Sequence, residues 1–363
     1  MSARFLAATA AAVITTGLLA SPVSAGQRVR LIGERIVPNG LVYEGTTVGG
    51  LSGIDRDPRT GEYVLISDDR SSLGPARFYT ARIDVNAKRL GDVTFTGTRP
   101  LLRPDGTTYP KDAVDPEEIR VDPWTGRYTW SQEGGRPPAS ADPSIHQATR
   151  TGRFAGELPL PKNLHVTPTS GPRSNLALEG LTYAAGGTLL VSSVEAPLTE
   201  DGPVPTPDNG ALTRITVQTR AGHLLAQYAY PLEPIFARPV PPTAAADNGI
   251  SAIVAADPFD PARLLVVERS FVTGVGNKVR IYEASTIGAG NVAGRALTGA
   301  RPMRKKLIAD LADFGLSKVD NIEGITWGPD VGRGERSLIL VSDDNFSAGQ
   351  VTQVVALAVR YPQ

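Results

Sequence analysis

Five residues with oxygen-bearing side chains recur at corresponding points of the sequence and could bind a cation together. Each opens a short motif that ends in Ile or Leu, and they are Ser52, Glu117, Glu179, Ser251 and Glu323. If the fold gathers them around one axis, three carboxylates meet at short range, which is costly unless a cation offsets their charge. Calcium suits a wide ring of oxygen ligands, and zinc is disfavoured because no His or Cys accompanies the carboxylates. The sequence therefore predicts a calcium site formed by these residues.

A structural explanation of the same residues stays open. Each glutamate could instead accept hydrogen bonds from neighbouring backbone N–H groups, pair with an arginine, or lie on a solvated rim. The repetition at five corresponding positions favours the cation site over these alternatives.

A second charged set follows the apolar strand that comes after each motif. Because a hairpin returns this strand to the face where the first strand starts, we expect both sets at one mouth of a central channel. Arginines beside the carboxylates would bind phosphate oxygens, and a carboxylate would orient an attacking water. The candidate catalytic residues are Asp68, Asp69, Arg70, Glu268, Arg269, Asp343 and Asp344. A network of surface ion pairs is the alternative for any one of them.

Five segments of the chain share one layout around these residues. The motif is followed by a turn, such as Asp57-Pro58-Arg59-Thr60-Gly61, then by an apolar strand such as Tyr63-Val64-Leu65-Ile66, and by two further strand-like runs. Asp-Pro openings and Gly closings are tight-turn chemistry. Four antiparallel strands per repeat form one blade of a β-propeller, although these repeats exceed the ~40–50 residues common in propellers and must include long loops.

The repeats predict an all-β, five-bladed propeller. The last repeat has only three strand-like runs, and the run from Val29 to Val37 can supply the fourth and close the ring. A poorly marked sixth blade is the alternative. Trp124, Trp130 and Trp327 fall within the repeats, and we expect them to pack between blades.

The start of the chain indicates export. Arg4, the apolar run from Phe5 to Ala20 and the small residues at Val23-Ser24-Ala25 are typical of a cleaved signal peptide, so we expect residues 1–25 to be removed and 26–363 to form a single domain. An uncleaved anchor is the alternative. We expect a secreted or periplasmic protein that is free of the membrane after cleavage.

Composition narrows the chemistry. The chain has no Cys, which excludes disulfides and thiolate chemistry, and Lys+Arg equals Asp+Glu at 37 each. Nothing in this balance indicates a nucleic-acid partner. We expect a monomer that binds a small phosphorylated substrate.

Several stretches resemble the phytase-like family described as "esterase-like activity of phytase". The resemblance covers about Leu31 to Val359 and rests on motifs that recur in order: Gly50-Leu51-Ser52-Gly53-Ile54, Ala177-Leu178-Glu179-Gly180-Leu181, Asn321-Ile322-Glu323-Gly324-Ile325 and Leu340-Val341-Ser342-Asp343-Asp344-Asn345-Phe346. It implies a phosphoester hydrolase but transfers no catalytic residue. Calcium-dependent propeller phytases are similar in style, with six blades and acidic calcium sites.

The predicted cation ring is also similar to that of calcium-activated nucleotidases of the apyrase type. Those enzymes are five-bladed propellers whose central calcium is held by Ser and Glu residues, so this likeness is one of fold and carries limited weight for the substrate.

These observations predict an exported, calcium-dependent phosphoester hydrolase. The first alternative is a non-catalytic propeller that binds a carbohydrate, peptide or partner protein, with structural calcium. The second is a carboxylester hydrolase, although only three His are available for a Ser-His-Asp triad.

Overall fold

The computed structural model describes residues 29–135 and 141–360. The predicted signal peptide, and the predicted start of the mature chain near Gly26, lie outside these residues. Within the described part of the chain, no helix has the length and apolar character needed to cross a bilayer.

The described residues form five four-stranded antiparallel sheets and one short hairpin, β2 (Val42–Tyr43) with β3 (Thr46–Thr47). The first blade consists of β4 (Leu51–Arg56), β5 (Tyr63–Ser67), β6 (Arg77–Val85) and β7 (Leu90–Pro100). The second consists of β8 (Pro116–Val121), β9 (Tyr128–Gln132), β10 (Ser144–Ala148) and β11 (Phe154–Leu158). The third consists of β12 (Leu178–Ala184), β13 (Leu189–Val194), β14 (Ala211–Thr219) and β15 (Leu224–Leu232).

The fourth blade consists of β16 (Ala246–Ala255), β17 (Arg263–Val272), β18 (Gly276–Ser285) and β19 (Arg304–Asp310). The fifth consists of β20 (Asn321–Gly332), β21 (Glu335–Asp343), β22 (Thr352–Arg360) and β1 (Val29–Val37). Short 3-10 helices connect some strands, at Lys162–Leu164, Ala185–Gly187, Thr199–Asp201 and Leu311–Phe314.

The N-terminal strand closes the ring, as the sequence predicts. Strand β1 pairs with β22 from Val29 opposite Val359 to Val37 opposite Thr352. The prediction of five blades is therefore confirmed, and the alternative of six is wrong.

Apolar side chains fill the spaces between neighbouring blades. Within the described residues, separate buried clusters join the first blade to the second, the second to the third, and so on around the ring. In the cluster between the fourth and fifth blades, for example, Leu265 and Val267 pack with Leu338 and Leu340. Each blade thus buries both faces of its sheet against its neighbours, which explains why the strands are apolar runs.

Each inner strand carries an irregularity where a candidate ligand stands. The register of the first strand pair of every blade shifts at that point, between Leu51/Gly53, Pro116/Ile119, Leu178/Leu181, Ile250/Ala252 and Ile322/Gly324. The five candidate ligands lie inside these shifts. A bulge redirects a side chain out of the regular alternation of a strand. Five equivalent bulges therefore govern where these five side chains point.

A buried arginine occupies the axis of the propeller. The guanidinium of Arg120, on β8, donates hydrogen bonds to backbone oxygens of all four other inner strands. These are Leu181 (Nε, 2.5 Å), Ile54 (Nη1, 3.1 Å), Ile325 (Nη1, 2.9 Å) and Ile253 (Nη2, 2.9 Å). A side chain that reaches four surrounding strands must lie between them. Arg120 therefore separates the two mouths of the channel.

The charge of Arg120 is balanced within the core. Its Nη2 lies 2.5 Å from Oε2 of the buried Glu118, and Asp55 Oδ1 lies 3.6 Å from Nη1. Burial raises the pKa of Glu118 to about 8, although Arg120 opposes the shift. The buried pair of Arg120 and Glu118 thus lies between the two mouths of the channel.

The tryptophans only partly match the expectation of packing between blades. Trp130 and Trp327 are buried, but the side chain of Trp124 is 53% exposed. Trp124 follows Pro123 at the tip of the turn between β8 and β9, and a turn tip cannot reach the space between sheets.

Candidate functional site

The end of the second strand of each blade places one charged residue over the axis. Leu51 pairs with Ser67, Leu178 with Val194 and Ile250 with Glu268. The residue that follows the paired residue of the second strand is therefore at an equivalent position in every blade. The residues at this position are Asp68, Glu133, Glu195, Arg269 and Asp343. Four carboxylates and one guanidinium therefore form a second tier next to the inner-strand glutamates.

These residues, with Asp115, form an acidic depression at one mouth of the channel. We call it the acidic pit and define it by its carboxylates: Asp68, Asp115, Glu117, Glu133, Glu179, Glu195, Glu323 and Asp343. Seven of them are at least nine-tenths buried, and Asp68 is partly exposed. Such a concentration of buried carboxylates is unfavourable unless protons or cations offset it.

Two overlapping groups within the pit have the spacing of a metal site. The carboxylate oxygens of Asp115, Glu117 and Glu133 lie within 4.8 Å of one another, and those of Glu133, Glu179 and Glu195 do so as well. Glu133 belongs to both groups. The five residues thus form a continuous set of oxygen donors across the second and third blades.

The pit carboxylates hold protons more tightly than ordinary acids. Burial raises the pKa of Glu117 and Glu179 well above the usual range, and their mutual repulsion adds to the effect on Glu117. Burial also raises the pKa of Glu195 and Glu323 to about 8, although Arg269 opposes the shift at both. A bound cation would displace these protons.

Arg269 is the buried cation of the pit. Its Nη2 lies 3.2 Å from Glu195 Oε1 and 3.5 Å from Glu323 Oε1, while Nη1 lies 3.1 Å from Asp247 Oδ1. Its Nε has no hydrogen-bond partner among the described residues. Arg269 thus compensates part of the negative charge and retains one free donor.

Arg70 is the more exposed cation. Its Nε lies 3.9 Å from Asp115 Oδ1 and 4.0 Å from Asp112 Oδ1, and its side chain is 32% exposed. These distances are too long for hydrogen bonds. Within the part of the chain that the structure describes, the Arg70 guanidinium is therefore held by long ion pairs and not by hydrogen bonds.

Asp68 and Asp343 lie together on the side of the first and fifth blades. Burial and the charge of Asp343 raise the pKa of Asp68 well above its usual range. Asp343 accepts hydrogen bonds from Asn345 N (2.7 Å) and Asn321 Nδ2 (3.3 Å). The Asp68 carboxylate accepts none from the described residues and is the more available of the two.

The two predicted serine ligands have other partners. Ser52 Oγ donates to Glu117 O (2.6 Å), and Ser251 Oγ donates to Ile322 O (2.8 Å). Each hydroxyl thus joins its inner strand to the inner strand of the next blade. Of the predicted ring of Ser52, Glu117, Glu179, Ser251 and Glu323, the three glutamates lie in the pit, and the hydroxyls of the two serines connect neighbouring inner strands.

Three predicted catalytic residues also have structural partners. Asp69 pairs with Arg77 (2.6 Å) and accepts backbone hydrogen bonds from the loop that follows it. Asp344 Oδ1 accepts hydrogen bonds from Gly50 N (2.9 Å) and Phe346 N (3.1 Å). Both come one residue after the second-tier position. Asp69 binds the loop that follows it, whereas Asp344 binds its own loop and the segment that precedes β4.

Glu268 precedes the second-tier position and points away from the axis, because side chains alternate along a strand. It contacts Lys305 and accepts hydrogen bonds from Tyr230 Oη (2.8 Å) and Asn248 Nδ2 (3.2 Å). The prediction that Glu268 acts in catalysis does not agree with these contacts.

The candidate residues chosen from the sequence do not include Asp115, Glu133 or Glu195. A signal was present, because Asp115 stands two residues before Glu117, as Asn321 stands before Glu323. The backbone of Glu133 donates to Asp115 O (2.9 Å), which places both carboxylates at one strand end. Comparing all five repeats at this position would have singled out Asp115.

The donor set of the pit fits calcium. The two close groups offer carboxylate oxygens alone, from Asp115, Glu117, Glu133, Glu179 and Glu195. Hard divalent cations prefer such ligands, and calcium accepts six to eight oxygens in flexible geometry. The negative charge of the buried groups supplies the reason for a cation to bind.

The chain matches a known protein family over most of its length. The family model described as "Phytase-like: Esterase-like activity of phytase" matches residues 46–346. No curated protein sequence matches the chain.

Solved structures with similar architecture are distant. A gluconolactonase from Xanthomonas campestris is 12% identical with a TM-score of 0.37, and the match covers 84% of this chain and 71% of that one. A periplasmic gluconolactonase from Pseudomonas aeruginosa is 12% identical with a TM-score of 0.38, covering 88% of each chain. A putative glucose dehydrogenase from Thermus thermophilus is 15% identical with a TM-score of 0.35, covering 87% and 89%. Likeness at these scores carries no argument about the site.

Proposed function

Because the chain belongs to the phytase-like family, we propose that it is a calcium-dependent hydrolase of phosphoesters whose site is the acidic pit. Family membership supports a hydrolase-type propeller. The choice of calcium and of a phosphorylated substrate is our proposal. One observation carries it: two groups of buried carboxylates share Glu133 and have oxygens within 4.8 Å of one another.

Asp115, Glu117, Glu133, Glu179 and Glu195 would hold the cation. Calcium bound there would offset their charge and polarise a phosphoryl oxygen of the substrate. Arg70 would bind a second phosphate oxygen from the open side of the pit, and the free Nε of Arg269 would offset developing negative charge.

Asp68 is the best candidate to orient the attacking water. It is partly exposed and accepts no hydrogen bond from the described residues, whereas Asp69 and Asp344 accept backbone hydrogen bonds. A carboxylate whose pKa is raised can accept a proton near neutral pH more readily than an ordinary one. We assign this role to Asp68. Asp343 accepts a hydrogen bond from the side chain of Asn321, and we assign it the supporting role of holding Asn321 in place.

A carboxylester hydrolase has one contact in its favour. Ser144 Oγ lies 2.8 Å from His146 Nε2 on β10. However, Gln132 Nε2 also donates to Ser144 Oγ (2.7 Å), and burial lowers the pKa of His146 to about 4, which makes the imidazole a weak base. A non-catalytic propeller with structural calcium is the other alternative.

A substrate panel separates these functions. We expect calcium to support, and a chelator to abolish, hydrolysis of p-nitrophenyl phosphate, phytate or ADP. Turnover of p-nitrophenyl acetate alone would favour the carboxylester hydrolase, with Ser144→Ala as the deciding variant. Calcium binding without turnover of any ester would favour the non-catalytic propeller. We further propose that the protein is exported and monomeric.

A further inference from the structure

A second cavity, of about 360 Å³, opens at the opposite mouth of the channel from the acidic pit. Its walls include inner-strand residues that come three and four positions after a candidate ligand. Examples are Thr182 and Tyr183 after Glu179, and Thr326 and Trp327 after Glu323. Arg120 forms its base and separates it from the pit. Its volume is at the lower end of the range for small-molecule sites. We call it the distal cavity.

Two exposed aromatic side chains stand at the rim of the distal cavity. Trp124 and Phe259 stand at the tips of the first turns of the second and fourth blades, and they are 53% and 77% exposed. Large exposed aromatic groups around one opening are a mark of binding sites. Tyr183 and Trp327 continue the aromatic surface into the cavity.

Trp124 is held in a fixed orientation. Its Nε1 donates to Gly186 O (2.7 Å), and the guanidinium of Arg220 lies 4.0 Å from the ring centroid. Gly187 has φ +87°, and a Cβ there would lie 2.8 Å from Trp124 Nε1, so the glycine makes room for the indole. The ring is therefore positioned before any ligand arrives.

Two arginines give the distal cavity an excess of positive charge. Arg56 and Arg336 both line the cavity, and burial together with the charge of Arg56 lowers the pKa of Arg336. Arg336 donates from Nε to Gly328 O (3.1 Å). Within residues 29–135 and 141–360, neither guanidinium has a carboxylate within 4.0 Å, and the more distant charges of Asp257 and Asp55 only partly oppose the lowering of the pKa of Arg336.

The carboxylate in the lining does not cancel this charge. Asp55 accepts hydrogen bonds from Val121 N (2.8 Å) and Thr326 Oγ1 (2.7 Å), and it lies 3.6 Å from Arg120. Asp55 and Glu118 thus balance Arg120 at the base. Arg56 and Arg336 remain for a ligand.

We propose that the distal cavity binds a small ligand with one planar ring and one anionic group, such as an aromatic carboxylate or phosphonate. The ring stacks on Trp124, Tyr183 or Phe259, and the anion binds Arg56 and Arg336. This site goes beyond the proposed hydrolase function and does not depend on it.

The test uses isothermal titration calorimetry of the full chain with 4-nitrobenzoate and phenylphosphonate, neither of which is an ester. The neutral probe 4-nitrobenzyl alcohol tests the anionic group. The variants are Trp124→Ala and Arg56→Gln, with Phe271→Ala and Arg82→Gln as controls that alter exposed side chains outside the cavity. Unchanged thermal unfolding midpoints confirm that the variants fold.

We expect at least one anion to bind, and the neutral probe to bind at least about tenfold more weakly. Trp124→Ala should weaken binding about three- to tenfold and Arg56→Gln about tenfold or more, while the controls bind as the parent does. Binding should persist in Glu133→Gln, which alters only the pit. Failure of both anions to bind, equal binding of the neutral probe, or binding unaffected by both cavity variants would overturn the proposal.

Discussion

The Nη1 atom of Arg120 lies 2.9 Å from the backbone oxygen of Ile325, which joins the inner strands of the second and fifth blades across the propeller axis. The same guanidinium reaches the other inner strands and pairs with Glu118. This side chain is therefore the point at which the blades meet.

Arg120→Met should lower the free energy of unfolding by about 3–5 kcal/mol, because it leaves Glu118 buried without its partner. The double variant Arg120→Met/Glu118→Gln should recover part of this loss, since it removes the charge of Glu118 and only the less buried Asp55 then lacks its partner. Urea unfolding measures both. If the double variant is no more stable than the single one, the ion pair does not govern the stability of the axis.

Gly180→Ala should destabilise the fold by about 1–3 kcal/mol through overpacking. A Cβ at this position would lie 2.5 Å from Ser193 Oγ and 2.8 Å from Ile253 N, where the third and fourth inner strands approach each other. Gly290→Ala is the matched control, because its nearest neighbour would be 3.7 Å away. Equal unfolding midpoints for the two variants would argue against this close approach.

Without calcium, stability should fall as the pH rises from about 7 to about 9. Burial raises the pKa of Glu118, Glu195 and Glu323 from 4.5 to about 8, so the folded state binds these protons more tightly than the unfolded state does. Their stabilising contribution is complete below 4.5 and is lost as the pH rises through about 8.

Two features make this measurement interpretable. The pKa of His146 is lowered from 6.5 to about 4, so its titration makes stability rise with pH only between about 4 and 6.5. This rise ends before the range from pH 7 to 9 begins. Saturating calcium should also reduce the decline, because the cation takes the place of the protons. Urea unfolding of chelator-treated protein at several pH values measures the slope, and a flat profile from pH 7 to 9 would contradict the assignment.

Asp68→Asn should lower kcat for a phosphoester about 100- to 10,000-fold if Asp68 accepts a proton from the attacking water. Calcium binding should change much less, because Asp68 belongs to neither close carboxylate group. Asp92→Asn, at a side chain that is 96% exposed, is the control. An Asp68→Asn variant with parental kcat would remove this residue from the mechanism.

The repeat pattern predicted the five blades and the closing strand because both follow from the order of apolar runs. It also placed Glu117, Glu179 and Glu323 at the mouth of the channel. The directions of individual side chains depend on a single residue of register, which the repeat pattern alone does not define. Glu268 and Arg269 are neighbours in sequence, yet only Arg269 enters the pit.

The serines and Arg120 show a second limit. Ser52 matches the glutamates in position, but its short side chain reaches the neighbouring backbone instead of the axis. Arg120 has no counterpart in the other repeats, where the equivalent residues are Asp55, Thr182, Val254 and Thr326. A comparison of the five repeats identifies residues that recur, and Arg120 occurs in one repeat only.

Calcium titration of the parent protein and of Glu133→Gln tests the central claim most directly. Glu133 is shared by both carboxylate groups, so the parent should bind calcium saturably, and Glu133→Gln should bind at least about tenfold more weakly. Glu157→Gln, at an exposed side chain on β11, should bind as the parent does. A parent that binds no calcium, or a Glu133→Gln variant with parental affinity, would contradict the assignment of the acidic pit as a calcium site.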